Sequence, residues 1–186
     1  GPDAVYVAGG TETRTHGWDV VLLKYSTGGK RLWTRTYDGA THRSDEVWDL
    51  DVDGRGRARV VGSSFVAEGS ENKALLVGWS ADGSRRWVRT FRGAGQQAAF
   101  AAVTTGNSAI WVAGHVDTGT QREWVVARYS ASGAREWLTR WPGAPGDPRG
   151  GTAHGCLTYG AGGLFVGGAV NTAAEGDDAH VVWFQR

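Results

Sequence analysis

Tyr25-Ser26-Thr27-Gly28-Gly29-Lys30-Arg31-Leu32-Trp33 decides how this chain is read, because the same pattern returns twice. It recurs as Trp79-Ser80-Ala81-Asp82-Gly83-Ser84-Arg85-Arg86-Trp87 and as Tyr129-Ser130-Ala131-Ser132-Gly133-Ala134-Arg135-Glu136-Trp137. The shared pattern is aromatic-Ser-x-x-Gly-x-x-x-Trp, with its tryptophans 54 and then 50 residues apart. A second string keeps the period. Val7-Ala8-Gly9 matches Val60-Val61-Gly62, Val112-Ala113-Gly114 and Val166-Gly167-Gly168. Gly1, Gly54, Gly106 and Gly160 each stand eight residues before the last glycine of these strings. Two motifs in fixed order at a fixed spacing mark a repeat architecture.

Working outward, the fullest repeat holds four candidate strands over 45–53, 57–64, 73–80 and 84–91. In Trp87-Val88-Arg89-Thr90-Phe91 the residues Trp87, Arg89 and Phe91 share a face, as Trp33, Arg35 and Tyr37 do one unit earlier. Period-two alternation of β-branched and aromatic residues between glycine turns is the strand signature. No amphipathic helix of three turns is visible, so the expected class is all-β.

Composition agrees. Glycine supplies 30 of 186 residues, about 16% against an average of about 7%. There are ten tryptophans. With 40% hydrophobic residues, 21% charged residues and a net charge of +1, this is one ordinary globular domain. It lacks the field that attracts nucleic acid or an anionic membrane. No stretch approaches the roughly 18 apolar residues of a spanning helix. There is no charged-then-apolar leader and no methionine, as expected of a processed segment. Cys156 is alone, so an internal disulfide and a thiolate metal cluster are excluded.

Four antiparallel strands every 40–50 residues or so is the spacing of a propeller blade. Tyr6-Val7-Ala8-Gly9-Gly10, Leu23-Lys24-Tyr25, the Gly29 turn and Trp33 resemble the bacterial β-propeller repeat called SBBP, and the strand order is similar to kelch blades. The likeness runs over nearly all of 1–186, with blades over about 1–44, 45–96, 97–150 and 151–186. It implies a β-propeller of four-stranded antiparallel blades in a secreted or cell-surface bacterial protein. It implies little about function, because such propellers carry many unrelated ones.

The first blade lacks its inner strand and the last its outer strand, so about 14 strands are expected in the order three, four, four and three. An open ring leaves faces and edges bare. That leads to two expectations about partners: a homo-oligomer, or association with the rest of a larger propeller.

At one end of the blades the turns are short and glycine-closed, as at Gly28-Gly29, Asp82-Gly83 and Ser132-Gly133. The other end carries longer, variable segments: 10–18, 63–72, 115–122 and 169–178 within blades, and 38–44, 92–96 and 142–150 between them. Binding usually sits on such loops. His16, Trp18, His42, Arg43, His115, Asp117 and Arg122 are the ligand-binding candidates there. Each histidine also reads as a surface or capping residue, and Trp18 as a strand-start core residue.

Asp49, Asp51 and Asp53, followed by Gly54, match the D-x-D-x-D-G opening of a calcium loop. Position 12, where a bidentate glutamate is expected, is Val60. Calcium is one reading; turn chemistry with arginine pairing is the other. No further cofactor is expected. His154-Gly155-Cys156 reads better as a small buried thiol than as a nucleophile beside a base. No G-x-S-x-G elbow accompanies the serines, and no phosphate loop the glycines. Trp33, Trp87 and Trp137 recur with the repeat and read as core, with Arg35, Arg89 and Arg140 beside them for cation–π contact.

The residues therefore predict a non-catalytic binding or scaffold module that recognises a protein or glycan through its long-loop face. The alternatives are a hydrolase or lyase whose central site a partner completes, and a purely structural, ring-completing segment.

Overall fold

The computed structural model describes residues 3–13, 17–66, 71–95, 97–105, 108–142, 151–160, 163–172 and 176–185. The chain is all-β. Its strands form four antiparallel sheets, each a simple meander in chain order, and no sheet closes on itself. The first sheet has three strands: β1 (Ala4–Thr13), β2 (Gly17–Ser26) and β3 (Arg31–Tyr37). The second has four: β4 (Asp45–Val52), β5 (Ala58–Phe65), β6 (Asn72–Trp79) and β7 (Arg85–Phe91). So has the third, with β8 (Ala98–Thr105), β9 (Ala109–Asp117), β10 (Arg122–Ser130) and β11 (Arg135–Trp141). The fourth comprises β12 (Gly151–Gly160), β13 (Gly163–Thr172) and β14 (Gly176–Gln185). Strand number and grouping are those expected from sequence. No helix among the described residues is long and apolar enough to cross a membrane.

The Ser-x-x-Gly motif is a turn with a mechanism. The amides of Gly29, Gly83 and Gly133 donate to the carbonyls of Ser26, Ser80 and Ser130 at 3.0, 2.9 and 2.9 Å. These glycines lie at φ of +80°, +85° and +81°, where a side chain is disfavoured. The Ser26 and Ser130 hydroxyls accept the Lys30 and Ala134 amides, both at 3.1 Å. Just before each turn the pairing slips, at Lys24/Tyr25, Gly78/Trp79 and Arg128/Tyr129.

Three apolar layers lie between consecutive sheets. Val20, Leu22 and Tyr37 of the first sheet pack on Val60, Leu75, Val77 and Trp79 of the second. Val61, Ala74 and Leu76 meet Phe100, Val112, Val125 and Tyr129 of the third. Trp111, Trp124 and Val126 meet Leu164, Val166 and Val170 of the fourth. The middle strands β5, β6, β9 and β10 are therefore covered on both faces and read as nearly continuous burial.

The recurring tryptophans are half-buried and pack against the margins of these three layers. Their work lies between sheets. A Cβ on Gly83 would stand 3.1 Å from Trp33, and one on Gly133 2.5 Å from Trp87, so each indole covers the turn glycine of the next sheet. Arg35 and Arg89 stack on those indoles, both at 5.5 Å, and donate through Nε to the Gly83 and Gly133 carbonyls. The expected Arg140–Trp137 contact does not form. The position two beyond Trp137 is Thr139, and Arg140 lies over Phe91 at 5.7 Å. Trp137 makes an edge-to-face contact with Trp111 instead.

The long-loop end is tighter than expected, because pairing continues outward to Thr13–Gly17, Phe65–Asn72, Asp117–Arg122 and Thr172–Gly176. The links between sheets, after β3, β7 and β11, belong to this end as well.

Candidate functional site

Where the first and second sheets meet at this end, an open cleft of about 380 Å³ is lined by Gly10, Trp18, Asp45, Glu46, Val47 and Trp48. Trp18 is not a strand-start core residue: it is 50% exposed, and Trp48 is 49% exposed. Gly10 makes the indole seat, since a Cβ there would stand 2.9 Å from Trp18 Cε3. The Trp18 amide donates to Ser44 Oγ at 3.3 Å, tying it to the link between sheets. Trp48 faces the cleft because β4 bulges between Val47 and Asp49. That extra residue changes which face the neighbouring side chains occupy.

Below the cleft three carboxylates converge. Asp19 of β2, Asp38 of the link and Asp45 at the start of β4 each place one oxygen within 4.8 Å of the others. Asp19 and Asp45 are 6% and 0% exposed. The Gly39 amide donates to Asp45 Oδ2 at 2.7 Å. The Asp45 Oδ1 and Asp38 Oδ1 atoms are shut off from solvent without a hydrogen-bond partner. Burial pushes the Asp45 carboxyl up to about 6, helped by the charges of Asp19 and Asp38 and opposed by the Ser64 hydroxyl and Gly39 amide. Burial likewise raises the Tyr37 hydroxyl, with the Asp45 charge adding to it and the Arg85 guanidinium opposing.

The Asp49–Asp53 run does other work. Asp49 Oδ2 accepts the Val103 amide at 2.9 Å, and Asp51 Oδ2 accepts the Thr105 amide and hydroxyl at 2.5 and 3.0 Å. Their Oδ1 atoms accept the next amides in the chain, Leu50 and Val52, both at 2.8 Å. Asp53 Oδ1 accepts the Arg55 and Arg57 amides, while Oδ2 meets Arg57 Nε at 2.5 Å. Two of the three carboxylates thus clamp β4 to β8, and the third closes a turn on an arginine. The three are not gathered around one point. Burial would raise the Asp53 carboxyl, but its hydrogen bonds to Arg57 and Arg55 hold it below the usual carboxylate range.

The remaining candidates separate. His42, at φ 51°, pairs through Nδ1 with Asp38 Oδ2 at 2.6 Å and borders the acidic cluster, with exposed Arg43 next in sequence. His115 is a strand residue of β9 and is 8% exposed, not a loop residue, because β9 continues to Asp117. Asp117 and Arg122 pair at 2.9 Å and, with Ala94, Gly95 and 119–121, line a separate cleft of about 530 Å³. Arg122 also donates to Gln97 Oε1 at 2.7 Å. His16 lies outside the described residues, as do Gly106-Asn107 and most of the link at 142–150.

Sequence reasoning missed Trp48 and the trio Asp19, Asp38 and Asp45. The one signal available was two aspartates bracketing a glycine-containing link, at Asp38 and Asp45. No family model matches the chain, and no curated protein matches it.

Proposed function

We propose that the chain is a non-catalytic module of a β-propeller, recognising a glycan or protein at the end of the sheets where the links between them lie. The observation that carries this reading is the Trp18–Trp48 cleft. Two half-exposed indoles flank a concave site beside the exposed carboxyl of Glu46. Tryptophan faces stack on the apolar C–H faces of sugars or on peptide side chains, and nearby carboxylates accept hydroxyl or amide protons. The glycine-turn end instead satisfies its own donors and acceptors across sheets, as at Arg35–Gly83 and Lys24–Ala81.

The ring is completed by a second copy. Val5, Val7 and Leu32 of the first sheet are 53%, 46% and 50% exposed, and Phe165, Val181 and Trp183 of the fourth are 38%, 74% and 48% exposed. At the positions of Val7 and Val5 the second sheet has Val60 and Ala58, both fully buried under the first. A fourth sheet docking on a first sheet would repeat the packing found three times within the chain. The SBBP-type resemblance adds placement outside the bacterial cytoplasm.

The test is a glycan and peptide array followed by titration of hits against tryptophan fluorescence. A hit whose binding weakens at least tenfold in Trp18→Ala and Trp48→Ala supports the reading. Hits untouched by both variants would move the binding face elsewhere.

A further inference from the structure

The carboxylates of Asp19, Asp38 and Asp45 come from β2, from the link and from β4, so folding of the first sheet on the second is what assembles them. Surface acidic groups gather at no great cost, but Asp45 is 0% exposed and its Oδ1 has no hydrogen-bond partner. Asp38 Oδ1 is also sealed from water without a donor. Buried oxygens of this kind cost free energy until a proton or a cation satisfies them. Two ligand atoms each about 2.4 Å from a calcium ion stand no more than about 4.8 Å apart. The separations in this cluster meet that limit. The set is oxygen-only, which suits a hard cation and not zinc. Three carboxylates against one divalent ion leave a residual charge of about −1, and His42 faces it from Asp38 Oδ2.

Backbone geometry leaves room for the trio. A Cβ at Gly39 would lie 2.9 Å from Asp45 Oδ1 and from Ser64 Oγ, so only glycine lets the link approach the carboxyl. Asp45 also lines the Trp18–Trp48 cleft, so the trio lies against it.

We propose that Asp19, Asp38 and Asp45 bind a calcium ion at the base of this cleft, pinning the first sheet and the link to the second. The site is distinct from the Asp49–Asp53 run and does not depend on a glycan or protein ligand being bound. Bound there, the ion supplies the cross-link that the two orphaned oxygens lack.

Terbium replaces calcium and luminesces when a nearby tryptophan is excited, and Trp18 adjoins Asp19 in the chain. Titrating the intact chain with terbium at pH 7 is expected to give saturable, one-to-one luminescence that calcium displaces. Asp45→Asn is expected to weaken terbium binding at least tenfold, whereas Asp51→Asn leaves it unchanged. Circular dichroism checks that Asp45→Asn is folded. Asp38→Asn, at a half-exposed position, provides a second loss-of-site variant. Calcium is further expected to raise the melting temperature of the parent chain and not that of Asp45→Asn. No saturable terbium signal, or one that survives both Asp45→Asn and Asp38→Asn, overturns the proposal. Loss of the signal in Asp51→Asn alone would do so too, by moving the ion to the other run. None of these readouts uses a glycan or peptide, so failure here is separate from failure of the proposed function.

Discussion

Gly62 faces the backbone of Glu46 so closely that a Cβ would stand 1.8 Å from the Glu46 carbonyl oxygen. The cause is the bulge in β4 between Val47 and Asp49, which pushes that carbonyl against β5. Gly114 repeats the arrangement beside the β8 bulge, 2.0 Å from the Ala99 carbonyl. Gly9 carries the same motif but has nothing within 4 Å, because β1 is an edge strand of the first sheet and no described strand lies beyond it to bulge against it. Gly62→Ala must displace main chain and is expected to cost at least about 3 kcal/mol. Gly9→Ala should change stability by less than about 1 kcal/mol. Urea midpoints of the two variants decide it; equal losses would mean that the bulge is not what demands glycine.

The clamp between β4 and β8 gives a second test. Asp51 accepts two protons from Thr105 and one from Val52. Removing an acceptor of this kind strands a partly buried amide, at about 2 kcal/mol for Asp51→Ala. Asp51→Asn keeps a carbonyl oxygen in place and should lose less than half of that. If both variants match the parent in chemical denaturation, the carboxylate is not holding the sheets together.

Strand number and grouping were legible because turns and alternation are local. Ser26, Gly29 and Trp33 specify a hairpin within nine residues, and the same spelling at Ser80 and Ser130 fixes the next two. What was not legible depends on register. Nothing in the string of residues reveals that β4 bulges, and without the bulge Trp48 cannot be assigned to the cleft. The acidic trio is hidden for the same reason. Asp19 and Asp45 are far apart in sequence and meet only once the first sheet has packed on the second. The regular spacing of Asp49, Asp51 and Asp53 was conspicuous, yet it serves inter-sheet hydrogen bonds and a turn. His115 looked like a loop residue because pairing that carries β9 on to Asp117 leaves no local mark.

Asp53 makes stability depend on acid. Its carboxyl titrates lower in the folded chain than in the unfolded one, where the value is about 3.9. Its contribution is therefore complete above that unfolded value and is lost as pH falls through the folded one. Melting temperature should drop more steeply below pH 4 in the parent than in Asp53→Asn, with the two curves converging at the acid end. Parallel curves from pH 6 to pH 3 would remove Asp53 from the acid limb.

Trp18 and Trp48 separate binding from folding. Both are about half exposed, so truncation should cost under about 1 kcal/mol each, less than for a buried indole. Trp124, at 0% exposure between the third and fourth sheets, is the contrast, and Trp124→Ala is expected to cost about 3–5 kcal/mol. Thermal melts of the three variants check the order. A Trp18 or Trp48 variant as unstable as Trp124→Ala would mean that the indole is part of the core after all.

If the exposed faces of the first and fourth sheets cover one another between copies, association is head to tail, and that geometry is testable. Val7 lies on one face and Val181, at 74% exposure, on the other. An aspartate at either position puts a charge into an apolar contact, which a sheet–sheet interface does not tolerate. Light scattering of the parent should give a mass that rises above 19.8 kDa with concentration. Val7→Asp and Val181→Asp should each stay monomeric. Mixed, they should form a dimer and nothing larger, because Val7→Asp retains a sound fourth-sheet face and Val181→Asp a sound first-sheet face. Contacts between like faces would behave differently: Val181→Asp alone would still pair through its first sheet, and the mixture would gain nothing. A parent chain that remains at 19.8 kDa at every concentration would rule out a second copy as the cover for these faces.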